Sequence, residues 1–153
     1  MPQSIGISDE MIQKEARELM EIANHSVMVG GKWINIVSEA EISCLALSNK
    51  LSEKGIANVI AIDERTTRVL CESPENMERM MSEKMHRRVS VDENKLKTFS
   101  KYKFIRSPEI VYAAYKKGLV EMEGKKVLEA MLYATKFKGA SISFEEIDEL
   151  KKL

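Results

Sequence analysis

The chain has 153 residues, and its 24 Lys and Arg balance 24 Asp and Glu, so the formal net charge is zero. That length suits one domain with a real core, and a composition of 44% apolar and 31% charged residues excludes disorder. The zero balance excludes attachment to nucleic acid by overall charge, and the longest unbroken apolar run, Ile110–Tyr115, is too short to span a bilayer.

In chain order, Met1-Pro2-Gln3-Ser4 lacks the basic and apolar regions of a secretion signal, so a cytoplasmic location is expected. Residues 9–24 read as a helix with the stripe Ile12, Ala16, Leu19 and Ala23, capped by Ser8. A Gly30-Gly31 turn separates two β-like pieces, Val27–Val29 and Trp33–Val37. A second helix runs from Ser38 to about Lys54, with Ala40, Cys44, Leu47 and Leu51 inward and Gly55 as its stop. In Asn58–Asp63 the run Val59–Ile62 is apolar without alternation, which predicts a strand buried on both faces, as in a parallel sheet.

Glu64–Glu72 reads as a short helix or turn, and Ser73-Pro74 opens a helix. That helix carries Met77, Met80, Met81 and Met85, expected as core packing. Arg88–Val91 and Lys103–Arg106 read as short strands. Ser107-Pro108-Glu109 opens a helix that Gly118 ends, and Lys125–Lys138 is another. Ser143-Phe144-Glu145-Glu146 is a capping box for a last helix with Phe144, Ile147 and Leu150 inward. Strands alternating with helices give an α/β class.

The chemistry-bearing residues are few. Cys44 and Cys71 form no metal or redox spacing and are expected as reduced core thiols. His25 and His86 are the only histidines, which excludes a histidine-rich zinc site, and dinucleotide, P-loop and serine-hydrolase signatures are absent. Asp63 stands at the carboxyl end of a strand, where open α/β sheets bind ligands; its other reading is a cap for the next helix, near Thr66 or Thr67. Glu64 follows it. Glu41 lies in the first turn of the second helix and is also the acid of a Ser38–Glu41 capping box. Carboxylates brought together there would suit Mg²⁺ or Mn²⁺ and phosphodiester hydrolysis.

Between Lys84 and Arg106, eight cations face only Asp92 and Glu93, a net charge of +6, and Phe99, Tyr102 and Phe104 interleave with them. Cations with aromatics suit single-stranded RNA; a solvated basic face with inward aromatics is the alternative.

The segment Ser38-Glu39-Ala40-Glu41-Ile42-Ser43-Cys44-Leu45-Ala46-Leu47 resembles the GEAExxxLAL helix of PIN-domain proteins, with Ser38 in place of glycine. Asp63-Glu64-Arg65-Thr66-Thr67-Arg68 is similar to the family's strand-Asp-Glu-Arg segment. Arg106–Val111, Lys117-Gly118-Leu119, Ala134–Gly139 and Ser141–Glu146 resemble the tail of archaeal PIN-like proteins.

The resemblance covers roughly residues 20–150. It implies one PIN-like domain over 1–153, a three-layer α/β/α sandwich with a central parallel sheet. Residues 1–24 form an atypical N-terminal helix segment where the family has its first strand, its aspartate and a helix pair. Asp9 is the nearest stand-in for that aspartate.

The resemblance further implies Mg²⁺- or Mn²⁺-dependent endoribonuclease chemistry of the toxin–antitoxin kind. Glu41 and Asp63 would be the catalytic acids, Glu64 an additional metal ligand and Arg68 a phosphate contact. Arg87, Arg88, Lys101 and Lys103 are the cations expected to meet RNA. The expected partners are RNA and an antitoxin, or an N-terminal fragment or second copy that completes the site. The alternative is a non-catalytic RNA- or protein-binding module on the same scaffold. A phosphoacceptor receiver domain would need an acidic pair after its first strand, which this chain lacks.

Overall fold

Eight helices and five short strands follow one another in the computed structural model, which describes residues 5–122 and 124–153. They are α1 (Asp9–Asn24), β1 (Val27–Val29), β2 (Lys32–Trp33), α2 (Glu39–Glu53), β3 (Ile60–Ala61), α3 (Arg65–Leu70), α4 (Pro74–Met85), β4 (Val89–Val91), α5 (Glu93–Lys97), β5 (Phe104–Ile105), α6 (Ser107–Lys116), α7 (Lys125–Phe137) and α8 (Phe144–Leu150). The class is mixed α/β. The chain divides into two compact units, one from Met1–Ile60 with Thr66–Lys103 and one from Ala61–Arg65 with Phe104–Leu153.

In the first unit, the Ser8 hydroxyl accepts the Met11 N–H at 3.3 Å and starts α1. Ala16, Leu19 and Ala23 are buried, as the expected stripe requires. Helix α2 packs against α1, and it buries Ile42, Leu45 and Ala46 rather than the expected stripe; Ala40, Cys44 and Leu47 are exposed. Two apolar stripes are available on α2, since both obey helical spacing, and the fold buries the one with Ile42 and Leu45. Cys44 is thus a surface thiol. Only Cys71 is buried, which pushes its pKa up to about 12 with help from the Glu72 charge.

Gly30 and Gly31, at φ of +56° and +79°, form the two-residue loop between β1 and β2. Positive φ at both positions matches the twist of a tight hairpin, and glycine adopts it without a Cβ clash. β2 ends at Trp33, so Ile34–Val37 is not strand. β4 pairs antiparallel with the other side of β1, Val27 opposite Val91 and Val29 opposite Val89, giving the order β2-β1-β4. Helix α4 packs on β4 and buries Met77, Met80 and Met81, while Met85 is exposed. The α4–β4 turn passes through His86, whose left-handed φ of +50° is unique among the described non-glycine residues. Helix α5, capped by Asp92, had no counterpart in the sequence reading; it packs on α1 and α4.

β3 and β5 run parallel, with Ile60 N–H donating to Lys103 O at 2.9 Å and Ile62 N–H to Ile105 O at 3.0 Å. This is the parallel pairing found among the described residues, and the three-stranded sheet is antiparallel throughout. β3 is not buried on both faces: Ile60 is buried, whereas Val59 and Ala61 are exposed.

In the second unit, Leu128, Leu132, Ile142 and Ile147 form a core, with Val111, Tyr112, Tyr115, Tyr133 and Leu150 packed around it. Phe144, expected inward, is exposed, with its ring tilted toward Tyr133 at 6.0 Å between centroids. Among the described residues no helix is long and apolar enough to cross a membrane.

Candidate functional site

Glu41 belongs to the first unit, and its carboxylate closes a capping box. Ser38 N–H donates to Glu41 Oε2 at 2.6 Å, and Glu41 N–H donates to Ser38 Oγ at 3.5 Å. The charge also sits at the positive end of the α2 dipole. The residue that resembles the family's helix acid therefore performs the local task that its spacing allows.

Asp63 belongs to the second unit and lies two residues past the end of β3. Its Oδ1 accepts the Ser107 backbone N–H at 2.8 Å and its Oδ2 accepts the Ser107 hydroxyl at 2.6 Å. Ser107 was expected to cap α6, but Arg106 holds the N-cap position and Ser107 is the first helical residue. Its N–H is one of those left without an intrahelical partner, and Asp63 satisfies it. Asp63 is thus a helix cap, though for α6 rather than for the helix that follows it in sequence.

Glu64, beside Asp63, is half-buried. Glu41 is in one unit and Asp63 and Glu64 are in the other. No group of three His, Cys, Asp or Glu side chains able to hold a metal ion forms among the described residues. A hard divalent ion needs several converging oxygens. Here Asp63 accepts from Ser107 through both oxygens and Glu41 accepts from Ser38 through one, so each candidate acid already has a local structural partner.

The cations divide into used and unused groups. Arg106 is used: it donates from Nη1 to Glu146 at 2.9 Å and to Ser141 O at 3.1 Å, and from Nε to Glu109 at 2.7 Å. It leaves the basic run as a structural residue of the second unit. Arg68 carries a buried Nε with no hydrogen-bond partner among the described residues, which does not match a phosphate contact through that atom. Lys84, Arg87, Arg88, Lys97, Lys101 and Lys103 are exposed. None forms an ion pair among the described residues.

Lys101 and Lys103 line a cleft of about 280 Å³ with Ser48, Asn49, Ser52 and Asn58. There Lys101 Nζ donates to Asn49 Oδ1 at 2.6 Å. The interleaved aromatics turn away from solvent: Phe99 and Tyr102 are buried and Phe104 is half-buried. Sequence reasoning overlooked Trp33, which is exposed, has Lys95 Nζ 5.0 Å from its ring centroid, and follows the Gly-Gly turn that could have marked it.

The Arg106 network gives the second unit an acid-sensitive contact. Burial alone would raise the Glu146 carboxyl, but hydrogen bonds from Ser143 and Arg106, with the guanidinium's charge, outweigh it and hold the pKa below the ordinary value. A depressed folded-state pKa stabilises above the unfolded value, and that stabilisation is lost as pH falls through the folded one. Urea midpoints should therefore drop on acidification below about pH 4.3. Glu146→Gln should flatten that drop while lowering the midpoint at neutral pH. Identical pH profiles for wild type and variant would show that the network carries no acid-sensitive stability. Comparison with family models, curated proteins and solved structures finds no match to this chain.

Proposed function

We propose that this chain is a non-catalytic module that binds single-stranded RNA through phosphate contacts from Arg87, Arg88, Lys101 and Lys103. The observation that carries this reading is the set of exposed cations without carboxylate partners between Lys84 and Lys103. With Arg106 removed from the run, that stretch of the first unit still has a net charge of +5. Unpaired cations gain most from phosphates, because binding releases condensed counterions without first breaking an ion pair. The lack of a catalytic step in this reading follows from the acids, since both candidate carboxylates already serve helix starts.

Asp63 favours a second reading, a PIN-like endoribonuclease with the three-layer α/β/α sandwich that the family resemblance implies. It stands past the carboxyl end of a strand in a parallel pair, the place where α/β sheets bind ligands. That reading requires Asp63 and Glu41 to take the ion on the lone pairs left by their hydrogen bonds from Ser107 and Ser38. It also requires a partner, such as an antitoxin-like chain, a complementing fragment or a second copy, to supply a further acid.

The test is to incubate the chain with mixed single-stranded RNA and Mn²⁺ at low salt. The RNA should be bound and stay intact. Robust cleavage by the isolated chain, abolished by Asp63→Asn or Glu41→Gln, would overturn this reading in favour of the second. Absence of binding would overturn it outright.

A further inference from the structure

The geometry points to Trp33 as a base-stacking residue for single-stranded RNA on the open face of the β2-β1-β4 sheet, with Lys95 beside it and Arg88 farther along the same face for the phosphates. This inference rests on the RNA-binding reading and adds to it the site where bases, rather than phosphates, are held.

Strand register fixes the face. Met28 is opposite both Trp33 and Ser90, so these three residues project to one side of the sheet. Val27, Val29, Val89 and Val91 project to the other side, where Val27 and Val89 are fully buried. The Met28 side is the outer one: Ser90 and Trp33 are exposed and Met28 is half-buried. Arg88, one residue before β4 and exposed, continues the alternation that puts Ser90 on this side.

An indole left 43% exposed on a sheet face contributes little to the core, yet its setting is ordered. Lys95 Nζ stands 5.0 Å from the ring centroid and is anchored by donating to His25 O at 2.9 Å. The His25 ring meets the indole edge-on, at 6.0 Å between centroids. The nearby carboxylates are already engaged. Asp92 accepts the N–H groups of Asn94 and Lys95 and lies 3.8 Å from Lys95 Nζ, and Glu21 lies 3.3 Å from His25 Nδ1. A π surface with one cation against its ring and another on the same sheet face matches a nucleotide, whose base offers a π face and whose phosphate offers charge. Phe99 and Tyr102 cannot take this part, because both are buried. The occupant is therefore single-stranded RNA of relaxed sequence, since every base presents a π face.

Trp33 is the chain's only tryptophan, so its emission reports this face alone. Titration of the wild-type chain with single-stranded oligouridylate and oligoadenylate should quench that emission saturably, in step with the anisotropy of end-labelled RNA. Trp33→Ala should weaken RNA binding about tenfold or more without changing the salt slope, because stacking releases no counterions. Trp33→Phe should recover part of the affinity, and Arg88→Ala should lower the log–log slope by about 0.7. Binding seen by anisotropy with unchanged emission, or with equal affinity in Trp33→Ala, would overturn the stacking role and leave the RNA-binding reading standing. No binding by anisotropy would overturn both. The wild-type emission titration involves no substitution and decides the matter even if Trp33→Ala loosens the hairpin.

Discussion

Phe99→Ala is expected to destabilise the protein by about 3–5 kcal/mol, the usual cost of deleting a fully enclosed aromatic ring, and to leave the RNA affinity of the folded chain unchanged. Phe99 has no exposed surface. It lies two residues past α5, with its N–H donating to Leu96 O at 2.9 Å, and Leu96 is also buried. Helix α5 in turn packs on α1 and α4, so the cavity would open among well-packed elements that can relax only partly. Urea unfolding gives the stability change, and RNA titration well below the unfolding midpoint gives the affinity. A loss under about 1 kcal/mol together with weaker RNA binding would return Phe99 to the stacking role that its position among lysines suggested.

What the sequence made legible was mainly local. Ser8, Ser38, Ser73 and Ser143 each cap the helix expected of them, because a cap depends on a hydrogen bond three residues long. The Ser38–Glu41 spacing likewise carried its own explanation, and the capping box forms. Readings that depended on distant partners fared worse. Val27 pairs with Val91, and nothing near either residue encodes that antiparallel choice. Asp63 was placed correctly at a strand end, but its partner Ser107 is 44 residues away and turns the carboxylate into a cap. Arg106 looked like one more cation of a run until Glu146, 40 residues on, claimed it. On α2 both candidate stripes obeyed helical spacing, and only tertiary packing selects Ile42 and Leu45. Trp33 and Lys95 meet for the same reason, since a sheet register and a helix cap bring them together from opposite ends of the first unit.

Changing Arg87, Arg88, Lys101 and Lys103 together to alanine should weaken binding to single-stranded RNA most strongly at low salt. Each lost phosphate contact lowers the log–log salt slope by about 0.7, so four contacts lower it by about 2.8. Between 50 and 200 mM salt that component alone accounts for roughly a fiftyfold change in affinity, which the variant should no longer show. The folding cost should be small, because all four residues are exposed and none forms an ion pair among the described residues. Of the four, Lys101 makes the one side-chain hydrogen bond described, to Asn49 at 2.6 Å, and stands over the Tyr102 ring at 5.3 Å. Lys101→Ala is thus the single substitution expected to touch stability as well as binding, by about 1 kcal/mol or less. Arg106→Ala provides the opposite control. It removes the guanidinium that joins Glu109, Glu146 and Ser141, so it should lower stability and leave the salt slope where it was. If the fourfold variant keeps the wild-type slope, these cations are a solvated surface and the RNA-binding reading falls. If Arg106→Ala alone lowers the slope, the phosphate contacts lie in the second unit, outside the cations proposed here.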